Sequence, residues 1–321
     1  MDGAQPMIHI PPTWPGLPLA RYRFTAQATT PLHLPDYAGS MLRGAFGHAL
    51  RKAVCIMPKG DCTGCLLKTS CVYPYIFDTP LPEGSDRMRL YKTVPHPYVI
   101  EPPDPGARSL RPGETFDFHL VLIGKANAHL PYVIHAVEQM LAGGLGKGDG
   151  RARLVEVADE EQVRYRPGEP LQPGQAPLRR GDGDAGALQL GVTLRTPLRL
   201  KKEDHLLTGE HLTFRDVFVP LMRRIAMLAY FHGPAPIEVD FPALARAAEG
   251  VEVVHAHLGW KEWTRYSARQ KGTMQMGGML GEVKFTAEDL TPFMPWLRLG
   301  IWCHAGKGTV FGLGGYRVSL L

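Results

Sequence analysis

The chain has 321 residues, of which 44% are hydrophobic, and this is enough for two cores of ordinary size because domains usually contain about 100–200 residues. Its formal net charge of +5 is too small for a histone-like arm but fits a localised basic surface that faces a polyanion. The proline-rich start lacks the pattern of a secretory signal, and no run approaches the roughly 20 apolar residues that span a bilayer, so we expect a cytoplasmic protein without a membrane partner.

The hydrophobic pattern predicts the same order of elements in each half of the chain. Both halves begin with an alternating strand that ends in Thr-Pro-Leu-x-Leu, at residues 24–34 and 190–200. A helix, two strand-like runs, a second helix, a glycine-rich loop and a last strand follow in each half. The helices are predicted at residues 37–54, 131–141, 213–231 and 290–302, and the paired runs at about 90–101, 115–124, 251–269 and 273–285.

This duplicated βαββαβ order predicts an α+β protein with two tandem ferredoxin-like, RRM-like domains. Residues 166–186 are dense in proline and glycine, cannot hold a helix, and separate the two periodic regions. We therefore predict an N-terminal ferredoxin-like domain at residues 1–165, a linker at 166–186 and a C-terminal ferredoxin-like domain at 187–321.

Four of the five cysteines lie close together in a small insertion at residues 55–75. Their spacing is C-x6-C-x2-C-x5-C, at Cys55, Cys62, Cys65 and Cys71. A Cys-x2-Cys pair is a chelating unit of tetrahedral zinc sites, so we predict a structural zinc ion. The spacing also resembles iron-sulfur sites of some nucleases, which leaves a four-iron cluster as an alternative. Since four thiolates would fill the metal, we expect no catalysis there; four reduced thiols without metal are the remaining alternative.

The first predicted helix has one apolar stripe and one polar face. Apolar residues recur at the helical period, at Met41, Leu42, Ala45, Phe46, Ala49, Leu50 and Ala53. The opposite face is expected to carry Arg43, Gly47, His48, Arg51 and Lys52. His48 and Lys52 are four residues apart, so their side chains should meet on one surface. An ordinary solvated surface histidine is the alternative.

A glycine-rich loop near the C-terminus has little side-chain bulk. Gly306, Gly308, Gly312 and Gly314 would let backbone N–H groups approach a phosphate, with Lys307 adding charge, and residues 143–150 repeat this composition. No helix follows the loop, so neither a Walker A motif nor a Rossmann fingerprint fits, and no nucleotide cofactor is expected. A tight connection whose glycines only permit unusual dihedrals is the alternative.

A basic, aromatic segment lies in two adjoining predicted strands of the second half. It contains Trp263, Arg265, Tyr266, Arg269 and Lys271. Alternation would let the arginines grip phosphates while Trp263 or Tyr266 stacks on a base. The alternative is a solvated strand face.

Taken together, these segments resemble the RAMP superfamily of CRISPR systems, and specifically its precursor-crRNA-processing endoribonucleases. The resemblance is carried by YAGSMLRGAFGHAL at residues 37–50, the cysteine cluster ending in CVYPYIF, WTRYSARQKGTMQMGGMLGEV at 263–283, and GKGTVFGLGGYRV, and it covers nearly the whole chain. It implies binding of CRISPR repeat RNA and metal-independent cleavage of the precursor by 2′-OH attack, which gives mature crRNA with a 2′,3′-cyclic phosphate end.

The resemblance places the candidate chemistry on the first helix, without a catalytic cofactor. Neutral His48 would take the proton from the ribose 2′-OH, and Lys52 or Arg51 would neutralise charge on the phosphorane. Tyr37 would orient the nucleophile or donate to the leaving oxygen, or it only packs. Arg43, Arg51, the basic segment and the C-terminal glycine loop would bind RNA. The alternative is a non-catalytic RAMP subunit that holds crRNA among the other subunits of a CRISPR effector complex.

Overall fold

The computed structural model describes residues 10–57, 62, 64–146, 148–182, 186–267 and 272–321. The chain divides into two compact units, one formed by residues 18–177 and the other by residues 178–321 together with residues 10–17. The division after residue 177 lies inside the proposed linker. The segment before residue 18 belongs to the same unit as residues 178–321, although it is far from them in sequence. In the part of the chain described, no helix has the length and apolar character needed to cross a membrane.

The unit of residues 18–177 contains an antiparallel sheet and two helices that pack against each other. Its elements are β1 (Leu17–Ala28), β2 (Leu32–Leu34), α1 (Gly39–Val54), a π-helical turn (Pro74–Asp78), β3 (Tyr98–Glu101), β4 (Arg108–Leu110), β5 (Thr115–Ile123), a 3-10 helix (Gly124–His129), α2 (Leu130–Gly143), β6 (Ala152–Ala158) and β7 (Val163–Tyr165). The strand order is β3-β5-β1-β6-β7. The first four strands of this order form a ferredoxin-like βαββαβ unit with α1 and α2 as its helices.

The second unit repeats this arrangement. Its elements are β8 (Leu178–Arg179), β9 (Gln189–Leu198), β10 (Lys201–Lys202), β11 (His205–Leu206), α3 (Phe214–His232), α4 (Phe241–Ala247), β12 (Glu252–Lys261), β13 (Thr264–Ser267), β14 (Gly272–Gln275), β15 (Gly278–Thr286), α5 (Met294–Cys303) and β16 (Tyr316–Leu320), with 3-10 helices at Gly209–His211, Ala248–Gly250 and Thr309–Phe311. The order β12-β15-β9-β16 matches that of β3-β5-β1-β6. The prediction of two ferredoxin-like domains is therefore confirmed.

Aromatic side chains fill the core of each unit because the strands alternate between buried and exposed positions. In the first unit, Phe24 of β1 stacks on Phe118 of β5 with the ring centroids 5.3 Å apart. In the second, Phe214 and Phe218 of α3 each contact Phe293, at 5.1 and 4.8 Å. Edge-to-face pairs such as those of Phe293 add to the free energy of burial, and here they hold α3 against the start of α5.

Candidate functional site

Helix α1 presents a line of exposed residues at helical spacing. Gly44, His48 and Lys52 are all exposed and follow one another every four residues, so they lie one above another on the helix surface. Leu42, Phe46, Ala49 and Leu50 are buried, as the apolar stripe predicts, but Ala53 is exposed. The structure thus brings His48 and Lys52 onto one accessible surface.

A second line on α1 is covered by an aromatic segment. The guanidinium carbon of Arg43 lies 4.1 Å from the ring centroid of Phe77, and that of Arg51 lies 5.9 Å from the ring of Tyr73. Tyr73 and Phe77 stack on each other with centroids 5.5 Å apart. A cation–π contact of this kind restrains the side chain of Arg51, so less entropy is lost when it binds a phosphate. Arg43 is less accessible, because its Nε atom is buried.

The position of Gly47 is a correction to the sequence analysis. We expected Gly47 on the solvent face between Arg43 and Arg51, but it is buried because the ring of Phe77 lies against it. A β-carbon at this position would overlap the Phe77 ring, whereas one at Gly44 would meet nothing within 4 Å. Gly44 and Gly47 of α1 therefore have different roles: the missing side chain of Gly47 makes room for the Phe77 ring, and that of Gly44 leaves open space on the exposed line that carries His48.

Tyr37 lies two residues before α1 and is partly buried. Burial raises the pKa of its hydroxyl well above the ordinary range, and the negative charge of Glu101 acts in the same direction. With a rise of about 1.5 Å per residue, His48 is roughly 13 Å along the helix axis from Gly39. The structure therefore places Tyr37 and His48 at different levels of the helix and favours packing as the role of Tyr37.

A second exposed histidine lies near the start of α1. His33 is in β2, and its Nδ1 atom is 3.2 Å from the hydroxyl oxygen of Ser109 in the paired strand β4. Gly146, in the first glycine-rich loop, lies beside the side chain of Met41 and the backbone of His33. The side chain of His33, like that of His48, is exposed.

The C-terminal glycine loop is held mainly by its own hydrogen bonds. The backbone amide of Lys307 donates to Arg199, that of Gly314 to Pro197, and that of Gly315 to the Thr196 hydroxyl. All four proposed RNA-binding glycines have positive φ, at Gly306, Gly308, Gly312 and Gly314.

Accessibility divides this loop into two parts. Gly312 and Gly314 are buried, and a β-carbon on Gly314 would overlap the Ala305 carbonyl. Their positive φ and tight packing require glycine for the turn itself, so they cannot present a surface to RNA as we expected. Gly306 and Gly308 are partly accessible and Lys307 is exposed. Of the five loop residues predicted to bind RNA, only 306–308 are therefore accessible.

The basic segment forms a hairpin outside the main sheet. Strands β13 and β14 pair with each other, and Arg265 and Tyr266 lie in β13, opposite Met274 and Thr273. Trp263 is buried, so it is a packing residue and not the base-stacking residue that we expected. Arg269 and Lys271 lie outside the described residues.

The cysteines of the insertion surround one small cavity. Cys55, Cys62, Cys65 and Cys71 are partly buried free thiols, and all four line a cavity of about 20 Å³. Burial raises the pKa of the Cys62 thiol, with Asp78 acting in the same direction and Arg51 opposing it. Among the described residues, no three Cys, His, Asp or Glu side chains are already arranged as a metal site.

Comparisons with protein families divide the chain at the same place as the structure. Residues 192–316 match the model of the CRISPR-associated endoribonuclease Cas6, and residues 17–176 match a family model described as an N-terminal domain. An uncharacterized protein of Archaeoglobus fulgidus is 23% identical over 297 residues, which is 89% of this chain and 93% of the relative.

Solved structures show the same fold. A Cas6 product complex from Thermus thermophilus has a TM-score of 0.59 and 16% identity, with 94% of this chain and 99% of that chain covered. A Cas6-RT-Cas1–Cas2 complex has a TM-score of 0.58 and 16% identity, with 98% of this chain and 47% of that chain covered. The resemblance to CRISPR RNA-processing endoribonucleases is therefore confirmed: residues 192–316 are similar to the Cas6 endoribonuclease family, and the solved Cas6 structures have the same fold.

Proposed function

We propose that the chain binds CRISPR repeat RNA and cleaves the precursor transcript to give mature crRNA. The observation that carries the proposal is the exposed line of Gly44, His48 and Lys52 beside Arg43 and Arg51 on α1, in a chain whose residues 192–316 match the Cas6 family model. A base and several cations on one accessible surface are the groups that RNA cleavage by transesterification requires.

The proposed reaction needs no group beyond the RNA, the protein side chains and water. The imidazole of His48 accepts the proton of the ribose 2′-OH as the 2′-oxygen attacks the adjacent phosphorus. The new 2′-O–P bond forms as the P–O5′ bond breaks, the leaving 5′-oxygen takes up a proton from water, and His48 returns its own proton to water. The products are a 2′,3′-cyclic phosphate and a 5′-hydroxyl. Because a side chain removes the proton and cations stabilise the phosphorane, the proposed reaction has no metal-dependent step.

The cations have separate roles in this proposal. Lys52, one turn after His48 on the exposed line, neutralises the charge that develops on the phosphorane. Arg43 and Arg51, held on Phe77 and Tyr73, bind flanking phosphates. Exposed Lys307 in the other unit adds a further phosphate contact. We leave Tyr37 out of the proposed chemistry because its position favours packing.

Association with other CRISPR proteins is a further part of the proposal. It is supported by the likeness of this chain to part of the Cas6-RT-Cas1–Cas2 complex. The competing function is a non-catalytic subunit that holds crRNA in an effector complex. That function predicts tight binding of repeat RNA without cleavage.

The deciding experiment is single-turnover cleavage of labelled repeat RNA by the purified full chain, with EDTA present. The proposal predicts cleavage in EDTA and a loss of roughly 10²–10⁴-fold in rate for His48→Ala, the usual effect of removing a general base. His135→Ala is the matched control, because His135 is an exposed histidine on the other helix of the same unit. It should cleave at the wild-type rate.

Each other outcome changes a different part of the proposal. Full activity of His48→Ala with loss of activity in His33→Ala would move the base to His33. Binding without cleavage by the wild-type chain would establish the non-catalytic function. Cleavage that requires added magnesium would contradict the mechanism.

A further inference from the structure

The insertion after α1 contains too little packing to hold itself together. Ile56 and Leu66 are 74% and 97% exposed, and Met57 is also exposed, so its apolar side chains do not form a core of their own. Small segments of this kind usually depend on a cross-link or a metal for a fixed structure. None of the five cysteines forms a disulfide, which leaves four thiols of the insertion available as ligands.

Those thiols converge from three places in the insertion. Cys55 is the residue that ends α1, and its backbone amide donates to the carbonyl of Arg51 at 2.9 Å. Cys62 and Cys65 provide the chelating pair, and the carbonyl of Cys65 accepts a hydrogen bond from the amide of Lys68 at 3.1 Å. Cys71 precedes the π-helical turn, and its carbonyl accepts from the amide of Tyr75 at 3.2 Å.

The cavity between the thiols suits one ion. Its volume of about 20 Å³ is close to the space that one water molecule occupies. The remaining wall is formed by apolar side chains and aromatic edges, at Val54, Ile56, Met57, Leu67, Tyr73 and Pro74. Four thiolates without an open position satisfy the tetrahedral preference of zinc.

We infer that Cys55, Cys62, Cys65 and Cys71 bind a single structural zinc ion that fastens the end of α1 to the aromatic segment lying over it. The thiols are not arranged as a finished site, so the ion draws them inward as it binds. Cys55 and Cys71 enclose the loop between α1 and the segment that carries Tyr73 and Phe77. The ion therefore holds this segment against the line of α1 that carries Arg43 and Arg51.

The metal is tested on the native full chain, produced with zinc and iron both supplied. Elemental analysis should find one zinc per chain, with sulfur neighbours at about 2.3 Å by X-ray absorption. Cys62→Ser/Cys65→Ser should lose the zinc, while Cys303→Ala, a change at the buried cysteine of the other unit, should retain it. Folded wild-type protein that neither contains nor takes up zinc overturns the inference, as does bound iron with sulfide.

A separate measurement tests whether the zinc ion holds the aromatic segment to the end of α1. It uses only the wild-type protein, so it does not depend on the folding of a variant. Hydrogen exchange is followed before and after the zinc is removed by a chelator. Residues 51–57 and 71–78 should exchange faster after removal, while α2 should not change. Equal exchange with and without zinc overturns the fastening role, and so does an increase spread over the whole unit. Neither readout uses RNA, so its result is independent of the proposed nuclease activity.

Discussion

The ring of Phe77 occupies the space that a β-carbon on Gly47 would need. This contact joins α1 to a segment about thirty residues further along the chain, and the guanidinium of Arg43 lies over the same ring. Phe77 also stacks on Tyr98 of β3, with centroids 6.3 Å apart, so several contacts restrain the ring. A larger residue at position 47 must displace this stack.

Gly44 and Gly47 of α1 should therefore respond oppositely to alanine. Gly47→Ala should lower the free energy of unfolding by about 1–3 kcal/mol because it overpacks the Phe77 contact. Gly44→Ala is the matched control: it has open space and should raise the free energy of unfolding by roughly 0.5–1 kcal/mol through helix propensity. Urea unfolding followed by circular dichroism measures both, and equal effects would contradict the Phe77 contact.

Gly44 should also matter for the reaction in a way that stability does not explain. A leucine at position 44 would stand one turn before His48 on the exposed line, where the RNA must approach. We expect Gly44→Leu to fold at least as stably as the wild type and to cleave roughly tenfold or more slowly, since small displacements of a bound substrate have effects of this size or greater. Single-turnover rates with saturating RNA separate this from weaker binding; a wild-type rate would place the RNA elsewhere.

Arg51 should contribute to RNA affinity through a phosphate contact. For single-stranded RNA, each neutralised phosphate adds about 0.7 to the slope of log affinity against log salt. Arg51→Ala should therefore reduce that slope by about 0.7, with weaker binding to all RNA sequences. Tyr73→Leu, which leaves the charge but removes the ring beneath it, should retain most of the slope. An unchanged slope for Arg51→Ala would remove this residue from the RNA interface.

The five cysteines should divide into two reactivity classes. Burial raises the pKa of the Cys303 thiol to about 12, so this residue should not react in the folded protein. The four cysteines of the insertion are partly accessible and should react with a thiol reagent once any bound metal is removed. Counting reacted thiols should give four after chelation and five after unfolding. Reaction of all five before unfolding would contradict the burial of Cys303.

Mild acid should destabilise the first unit through His119 in β5. Burial lowers the pKa of His119 below 6.5, with Arg21 and Arg23 acting in the same direction and Glu101 opposing them. The unfolded chain therefore binds the proton more readily, and stability is lost as the pH falls through about 6.5. The free energy of unfolding between pH 7.5 and 5.5 should fall less in His119→Gln than in the wild type. His135→Gln, on an exposed position of α2, should not alter the pH dependence.

The order of elements was predictable because the apolar residues repeat at the period of each element. The bounds of α3 were predicted within one residue, and the structure shows a capping box in which Thr213 and Asp216 satisfy each other's backbone amides. The sequence analysis missed α4, although Asp240 at its start, followed by a proline in the first turn, is a known signal.

Hydrophobic periodicity could not predict the contacts between segments that are distant in sequence. The helical pattern assigns Gly47 to the polar face, and only the approach of Phe77 buries it. Alternation placed Trp263 on an RNA-binding strand face, but the residue lies between β12 and β13 and its side chain is buried. Likewise, glycine content alone does not distinguish an amide that faces a phosphate from one that already donates to Pro197, as Gly314 does.

The segment before β1 imposes an order on the synthesis of this protein. The indole of Trp14 donates to the carbonyl of Ala235 at 3.2 Å, and Arg180 donates to the carbonyl of Pro12 at the same distance. During synthesis, Trp14 cannot form this hydrogen bond until more than two hundred further residues have been made and Ala235 has left the ribosome. The first ferredoxin-like unit is thus completed as an insertion within the other, and a chain truncated to residues 178–321 would leave the second unit without its own first residues.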